Sequence, residues 1–146
     1  MRVLRQVLGK FPSGSRSRVR NFVANPTLGT ERSDIHENVL GPGAVVPWHL
    51  HAAEEVILVL EGKGECLTEQ GAEPYRAGDV LLLPARVKHS LRNTGEAPLR
   101  QICFFPDDPR TERLEPEQEG QTVETYNAAD TFEAEGTSRA VLPAVR

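Results

Sequence analysis

Two histidines and two adjacent glutamates are the residues of this sequence whose types and spacing most clearly suggest chemistry. His49 and His51 are separated by one residue, and Glu54 and Glu55 follow closely. Residues two apart on a β-strand project from the same face, so both imidazoles are expected to point the same way. Two neutral imidazoles and a carboxylate directed at one point are typical ligands of a divalent transition metal. Strand parity does not choose between the glutamates, because residues 52–53 predict a bend and the run after Glu55 is apolar on both faces.

The elements that must position these residues are short strands separated by turns. The chain has 12 glycines and 11 prolines among its 146 residues, which is typical of a protein with many turns. Alternating or continuously apolar segments predict strands at residues 19–24, 35–40, 56–60, 65–69, 73–76, 80–83, 89–93 and 99–105. Residues 122–126 favour a further edge strand, and residues 130–135 favour a helical turn capped by Asp130. Many short strands without strongly amphipathic helices indicate an all-β fold, either a small barrel or a jelly roll.

The spacing of these residues resembles the two sequence motifs of the cupin superfamily. Residues 43–62 read G-x5-H-x-H-x3-E-x6-G, and residues 78–93 read G-x5-P-x4-H-x3-N. The resemblance implies a small single-domain, metal-binding cupin with a jelly-roll β-barrel (a double-stranded β-helix) over about residues 20–105. It also implies that Glu54 points away from the site. The metal ligands that the resemblance implies are His49, His51, Glu55 and His89.

The implied ligand set predicts a divalent transition metal as the cofactor. Three imidazoles and one carboxylate would occupy four positions of a roughly octahedral shell and leave two adjacent positions open. Water, dioxygen or a chelating substrate can use those two positions. Fe(II), Mn(II), Ni(II), Co(II) and Zn(II) all accept this donor set, and the sequence does not choose among them.

Two further residues are predicted to line the pocket and to be catalytic candidates. Arg86 stands where the second cupin motif normally has glycine, at a turn expected near the metal. Its guanidinium can clamp a substrate carboxylate in a bidentate way, and the alternative is an exposed turn arginine. Gln101 shares a strand face with Cys103, and a polar pair in an otherwise buried strand suggests a pocket wall. His36 is the only histidine outside the motifs, and we expect it to be exposed or hydrogen-bonded rather than part of the pocket.

Length and composition limit the organisation, partners and location of the protein. We predict one cupin barrel with an N-terminal extension at residues 1–110 and an acidic, partly flexible C-terminal arm at residues 111–146. A net charge of −4 gives no argument for nucleic acid, and no apolar run reaches membrane-spanning length. The arginine-rich N-terminus lacks the apolar segment of a secretory signal, and the two cysteines form no CxxC pair, which together predict a cytoplasmic protein. Terminal arms of opposite charge and the edge strands of a barrel predict a homodimer.

We predict a metal-dependent cupin enzyme that acts on a small organic molecule. A dioxygenase-like oxidoreductase is favoured, because substrate and dioxygen can share the two open metal positions. The first alternative is a lyase, isomerase or cyclase of a carbonyl or carboxylate compound, although no general base is plainly placed inside the motifs. The second alternative is a non-catalytic cupin that binds a small metabolite.

Overall fold

The computed structural model describes residues 1–128, which form two β-sheets joined by short turns. The strands of this part of the chain are β1 (Ser17–Ala24), β2 (Asp34–Leu40), β3 (Val45–Leu50), β4 (Glu55–Glu61), β5 (Lys63–Thr68), β6 (Gly71–Arg76), β7 (Val80–Leu83), β8 (His89–Asn93), β9 (Leu99–Phe105), β10 (Glu112–Arg113) and β11 (Thr122–Asn127). A short 3₁₀ turn, Pro26–Leu28, connects β1 to β2. The segments with strand patterns in the sequence all form strands, although several boundaries move by a few residues.

The strands form a jelly roll in which the chain passes repeatedly from one sheet to the other. The first sheet, sheet A, has the order β11-β1-β2-β9-β4-β7, and the second, sheet B, has the order β10-β3-β8-β5-β6. The pairings are antiparallel except for the parallel pairing of β1 with β11. The predicted all-β jelly-roll fold is therefore confirmed.

The core lies between the two sheets and is made by alternate residues of their strands. On β9, the buried side chains are those of Leu99, Gln101, Cys103 and Phe105, which follow the period of two expected of a strand. Ile57 on β4 is also fully buried and packs in the same cluster. Burying one such aliphatic side chain contributes about 1.5–3 kcal/mol, so this interior holds the sheets together and fixes which residues point inward.

The turn from β4 into β5 moves the chain from sheet A to sheet B and requires glycine. Gly62 has a φ of 85°, in the left-handed region that side chains disfavour. A Cβ atom at this position would also lie 2.5 Å from the carbonyl oxygen of Pro98. The last glycine of the first motif is therefore needed for the sharp return of the chain.

The segments outside the two motifs pair with the barrel. The edge strand expected at residues 122–126 is present as β11, whereas β10, which pairs with β3, was not predicted. The first 16 residues have no regular secondary structure, and Val7 packs there in a small cluster with Leu28 and Ala128. The helical turn expected at residues 130–135 lies outside the described residues. Within residues 1–128, no helix has the length and apolar character needed to cross a membrane.

Candidate metal centre

Three histidines and one glutamate meet inside the barrel. One possible ligand atom from each of His49, His51, Glu55 and His89 lies within 4.8 Å of the others. All four residues are buried, with exposed fractions between 1% and 8%. The structure thus brings together the four residues that the two motifs single out.

Both sheets contribute to this cluster. His49 on β3 is the register partner of His89 on β8, so these two imidazoles are neighbours in sheet B. After His51 the chain crosses to sheet A, where Glu55 is the first residue of β4. Glu55 is buried and Glu54 is exposed. The crossing explains why strand parity could not choose between the two glutamates, because parity applies only within one continuous strand.

The hydrogen bonds of the imidazoles turn their Nε2 atoms towards the cluster. His49 Nδ1 lies 2.7 Å from the carbonyl oxygen of Pro47, and His89 Nδ1 lies 2.8 Å from that of Val87. A carbonyl can only accept, so each Nδ1 carries the proton and each neutral ring keeps its lone pair on Nε2. Outer hydrogen bonds of this kind fix the tautomer and orientation of metal-binding histidines.

The third histidine is held by a residue that the sequence did not indicate. His51 Nδ1 lies 2.8 Å from the hydroxyl oxygen of Thr111, which stands directly before β10. The C-terminal segment therefore orients one member of the cluster. No local pattern around Thr111 predicts this contact, because it depends on the pairing of β10 with β3.

The electrostatics of the cluster favour a neutral His49 and an ionised Glu55. Burial, helped by the nearby His89, lowers the pKa of His49 to about 4. Burial alone would raise the pKa of Glu55, but contacts with the imidazoles of His51 and His89 outweigh it and hold that pKa below its usual range. Both groups are thus in the protonation state that metal ligation requires near neutral pH.

Buried polar atoms without partners show that the cluster fits a cation. Glu55 Oε1 lies 3.4 Å from His51 Nε2 and 3.2 Å from His89 Nε2. Nevertheless, Glu55 Oε1 and His89 Nε2 make no hydrogen bond. A buried acceptor pair left in this way is costly unless a third group, such as a metal ion, satisfies both atoms. Three nitrogen donors and one carboxylate oxygen fit a divalent transition metal, and this donor set does not select its identity.

Three members of the cluster, His49, His51 and Glu55, line a cavity of about 120 Å³. The residues lining this cavity include ones from outside the two motifs, namely Arg18, Arg20, Phe22, Asp34, His36 and Arg113. Arg18 and Arg20 are two residues apart on β1, and this spacing in the sequence indicates that they share one face of the strand. The sequence could not reveal that this face meets the metal ligands, because β1 and β3 lie in different sheets.

His36 lies in the wall of the cavity, although we expected it to be exposed or hydrogen-bonded outside the pocket. Its side chain is 13% exposed, and its Nδ1 is buried without a hydrogen-bond partner. The ring lies between Phe22 and Phe105, with centroid distances of 5.7 Å and 6.0 Å. Phe105 also packs edge-on against His51 at 4.6 Å, so it contacts both His36 and one member of the cluster.

Neither of the two predicted pocket residues, Arg86 and Gln101, lines the cavity. Gln101 is fully buried inside the barrel, where its side-chain oxygen accepts a hydrogen bond of 2.9 Å from the hydroxyl of Tyr75. The Arg86 side chain is exposed, and neither residue is among those that line the cavity. Arg86 touches the site through its backbone, because its N–H donates to the carbonyl oxygen of His51 at 2.7 Å. Its φ of 67° explains why the motif normally has glycine at this position.

Comparison with known families agrees with this arrangement. The family model described as "Cupin domain" matches residues 37–105, which contain both motifs and all four clustered residues. Residues 37–105 form a cupin domain. Arg18, Arg20 and Arg113 lie outside this matched region.

Three similar proteins illustrate the range of the family. "Protein SchB" of Streptomyces halstedii is 32% identical over 85 residues, covering 58% of this chain and 62% of that protein. "Polyketide synthase CurC" of Streptomyces cyaneus is 27% identical over 85 residues, covering 58% of this chain and 55% of that protein. The solved structure of Bacillus subtilis oxalate decarboxylase, in work on its Mn(II) centres, is similar with a TM-score of 0.52 and 27% identity over 57% of this chain. The matched part is less than two-thirds of either curated relative and 24% of the decarboxylase.

Proposed function

We propose that this cupin protein is a metal-dependent enzyme that moves a proton beside a carbonyl group of a small organic molecule, as a lyase, isomerase or cyclase does. The observation that carries this proposal is the position of His36 in the same cavity as the His/Glu cluster. The motifs by themselves offer no general base, and His36 fills that role from β2. When bound to the cluster, a divalent metal would polarise the carbonyl oxygen of the substrate.

The surroundings of His36 suit acid–base work. Its Nδ1 lies 3.9 Å from Asp34 Oδ1, so a carboxylate stands near enough to stabilise the imidazolium that forms when the ring accepts a proton. The rings of Phe22 and Phe105 restrict its orientation on both sides. A substrate held in the cavity would have the metal cluster on one side and, on the other, an imidazole whose Nδ1 has no hydrogen-bond partner.

The names of two similar proteins support carbonyl or carboxylate chemistry. One is an oxalate decarboxylase with Mn(II) centres, and the other is called a polyketide synthase. A dioxygenase-like oxidoreductase is the second candidate. Three histidines and one glutamate leave two adjacent metal positions open, which is the observation that favours it.

Hydrogen–deuterium exchange tests the first candidate directly. The protein, loaded separately with Mn(II), Fe(II) and Zn(II), would be incubated under argon in D₂O with 2-oxo and 3-oxo acids of three to six carbons. Mass spectrometry should show deuterium at the carbon beside the carbonyl. His36→Gln should slow the exchange by about 10²- to 10⁴-fold and leave the metal content unchanged. Asp34→Asn, which keeps the imidazole, should slow it less.

Other outcomes would assign a different function. Oxygen uptake in air with an oxygenated product, and no exchange under argon, would establish the oxidoreductase instead. Tight binding of a compound without exchange or turnover in either gas would make the protein a binding module.

We also propose that the protein forms a homodimer through the outer face of β4 and β7. Leu58 and Leu60 on β4 and Val80 and Leu82 on β7 are exposed, and Leu82 is 74% exposed. β7 is the edge strand of sheet A, so its free backbone groups can pair with the same strand of a second copy. The opposite edge strand of sheet A, β11, carries none of the exposed large apolar side chains of residues 1–128, which favours the β7 edge for association.

A further inference from the structure

Three arginines reach the metal cavity from strands outside the cupin domain match. Arg18 and Arg20 come from β1, and Arg113 comes from β10. All three line the cavity that the His/Glu cluster closes on one side. Positive side chains from two different sheets therefore face the same small space.

The two arginines of β1 are not satisfied by the protein alone. Arg18 is 4% exposed and pairs with Glu117, but its Nε is buried without a hydrogen-bond partner. Arg20 also has a buried Nε without a partner, and no carboxylate among residues 1–128 lies within 4.0 Å of it. A buried guanidinium with donors to spare is costly unless an anion accepts from it.

Charged groups on β1, on β2 and in and after β10 act on Arg20. Burial lowers the pKa of Arg20, and the nearby Arg18 and Arg113 lower it further, whereas Glu117 and Asp34 act in the opposite direction. Arg113 shares Glu117 with Arg18, at 3.2 Å, so one carboxylate serves two guanidinium groups. The balance around Arg20 favours the arrival of a negative charge.

The charged groups in and beside the cavity indicate how much negative charge a ligand should carry. Three guanidinium groups stand against three carboxylates, which are those of Asp34, Glu55 and Glu117. On this count of arginines and carboxylates the metal-free region is balanced, and a divalent metal on the cluster would add about +2. A ligand with two negative charges would restore neutrality.

The size of the cavity limits the ligand further. A volume of about 120 Å³ corresponds to roughly 8–12 water-sized positions at about 10–15 Å³ each. A four- to six-carbon compound with two carboxylates fills that space. A compound with several fused rings does not fit.

We propose that Arg18 and Arg20 form an anion subsite that binds one carboxylate of a small dicarboxylate-type substrate, whose other oxygen donors face the metal cluster. The role of this ligand as a substrate rests on the proposed function. Its binding to the arginines can be measured without turnover. Arg113, whose side chain is more exposed than that of Arg18, adds a third guanidinium to the cavity from sheet B. Planar guanidinium groups suit this role because they bind carboxylates in a bidentate way.

Calorimetric titration of the metal-free protein tests the subsite. The probes are succinate and glutarate, with the uncharged diamides of the same acids as controls of equal size. The dicarboxylates should bind and the diamides should not. Addition of Zn(II) should tighten dicarboxylate binding, and the dicarboxylate should tighten Zn(II) binding by the same factor.

Variants separate the subsite from general effects of charge. Arg20→Gln should weaken dicarboxylate binding by about 10- to 100-fold without changing the metal content, since a hydrogen bond to a charged group is lost. Arg20→Lys should restore part of the affinity. Arg92→Gln is the matched control, because Arg92 pairs with Glu65 on the outer surface of sheet B, away from the cavity. Arg18→Gln is a second test. If this variant fails to fold because Glu117 has lost its partner, the Arg20 variants still test the subsite.

Three results would overturn the subsite. These are equal binding of diamides and dicarboxylates, unchanged affinity in Arg20→Gln, and an equal loss in Arg92→Gln. The two proposals can fail separately. Dicarboxylate binding without deuterium exchange would retain the subsite and reject the proposed reaction, whereas exchange on the oxo acids with equal binding of dicarboxylates and diamides would do the reverse.

Discussion

The assignment of Glu55 rather than Glu54 as the anionic ligand leads to a sharp test. Glu55 is buried, and its Oε1 lies 3.2 Å and 3.4 Å from the Nε2 atoms of His89 and His51. Glu54, its neighbour in sequence, is exposed. Glutamine has the shape of glutamate without its charge, so Glu55→Gln and Glu54→Gln form a matched pair of variants. Only the first should affect the metal.

The expected size of the effect follows from the position of Glu55. Mutation of a residue that only hydrogen-bonds a metal ligand lowers metal affinity by about 10- to 100-fold. Removing the charge of a ligand itself should therefore lower the affinity by about 100-fold or more. At a free metal concentration 100 times the dissociation constant, the wild-type protein gains about 2.7 kcal/mol of unfolding free energy. A 100-fold loss of affinity at that concentration leaves about 0.4 kcal/mol. For a domain of this size, at about 3 °C per kcal/mol, the metal-induced rise in Tm should fall from about 8 °C to about 1 °C.

The assay measures metal per subunit after dialysis and Tm with and without added Zn(II) or Mn(II). Glu54→Gln should keep the metal content and the rise in Tm of the wild-type protein, because an exposed carboxylate contributes little. A Glu54 variant that loses metal while the Glu55 variant retains it would refute the reasoning. It would mean that β4 begins one residue earlier and that every later side chain of the strand faces the other way.

Three further predictions concern pH, backbone strain and association. His49 has a pKa of about 4 in the folded protein against 6.5 for the free side chain, so the unfolded state binds its proton first as pH falls. The metal-free protein should therefore lose up to about 3 kcal/mol of unfolding free energy between pH 7 and pH 4 in urea titrations, and a flat profile would contradict this. Arg86→Gly should stabilise the protein by about 0.5–1 kcal/mol because glycine adopts a left-handed φ without strain. Arg86→Ala should give no such gain. If both variants instead weaken substrate binding, the Arg86 side chain binds the substrate carboxylate. Leu82→Arg should convert a dimer to a monomer in light scattering at micromolar concentration, and a wild-type monomer under those conditions removes the proposed interface.

The sequence alone determined the strand segments, the jelly-roll class and the four residues of the cluster. The strand segments follow from short-range rules, whereas the choice of Glu55 over Glu54 came from the resemblance to the cupin motifs. Alternation sets the two faces of a strand, and glycines such as Gly62 mark positions where only a residue without a side chain allows the turn. His49 and His89 come together because β3, within the first motif, pairs with β8, at the end of the second.

Tertiary structure decided what surrounds the cluster. The alternation of Arg18 and Arg20 and the presence of His36 are visible in the sequence, but only the packing of sheet A against sheet B makes them face the metal ligands. The same packing placed Gln101 deep in the barrel, away from the cavity wall. Contacts between residues far apart in sequence follow from which strands become neighbours, and periodicity within one strand carries no information about that choice.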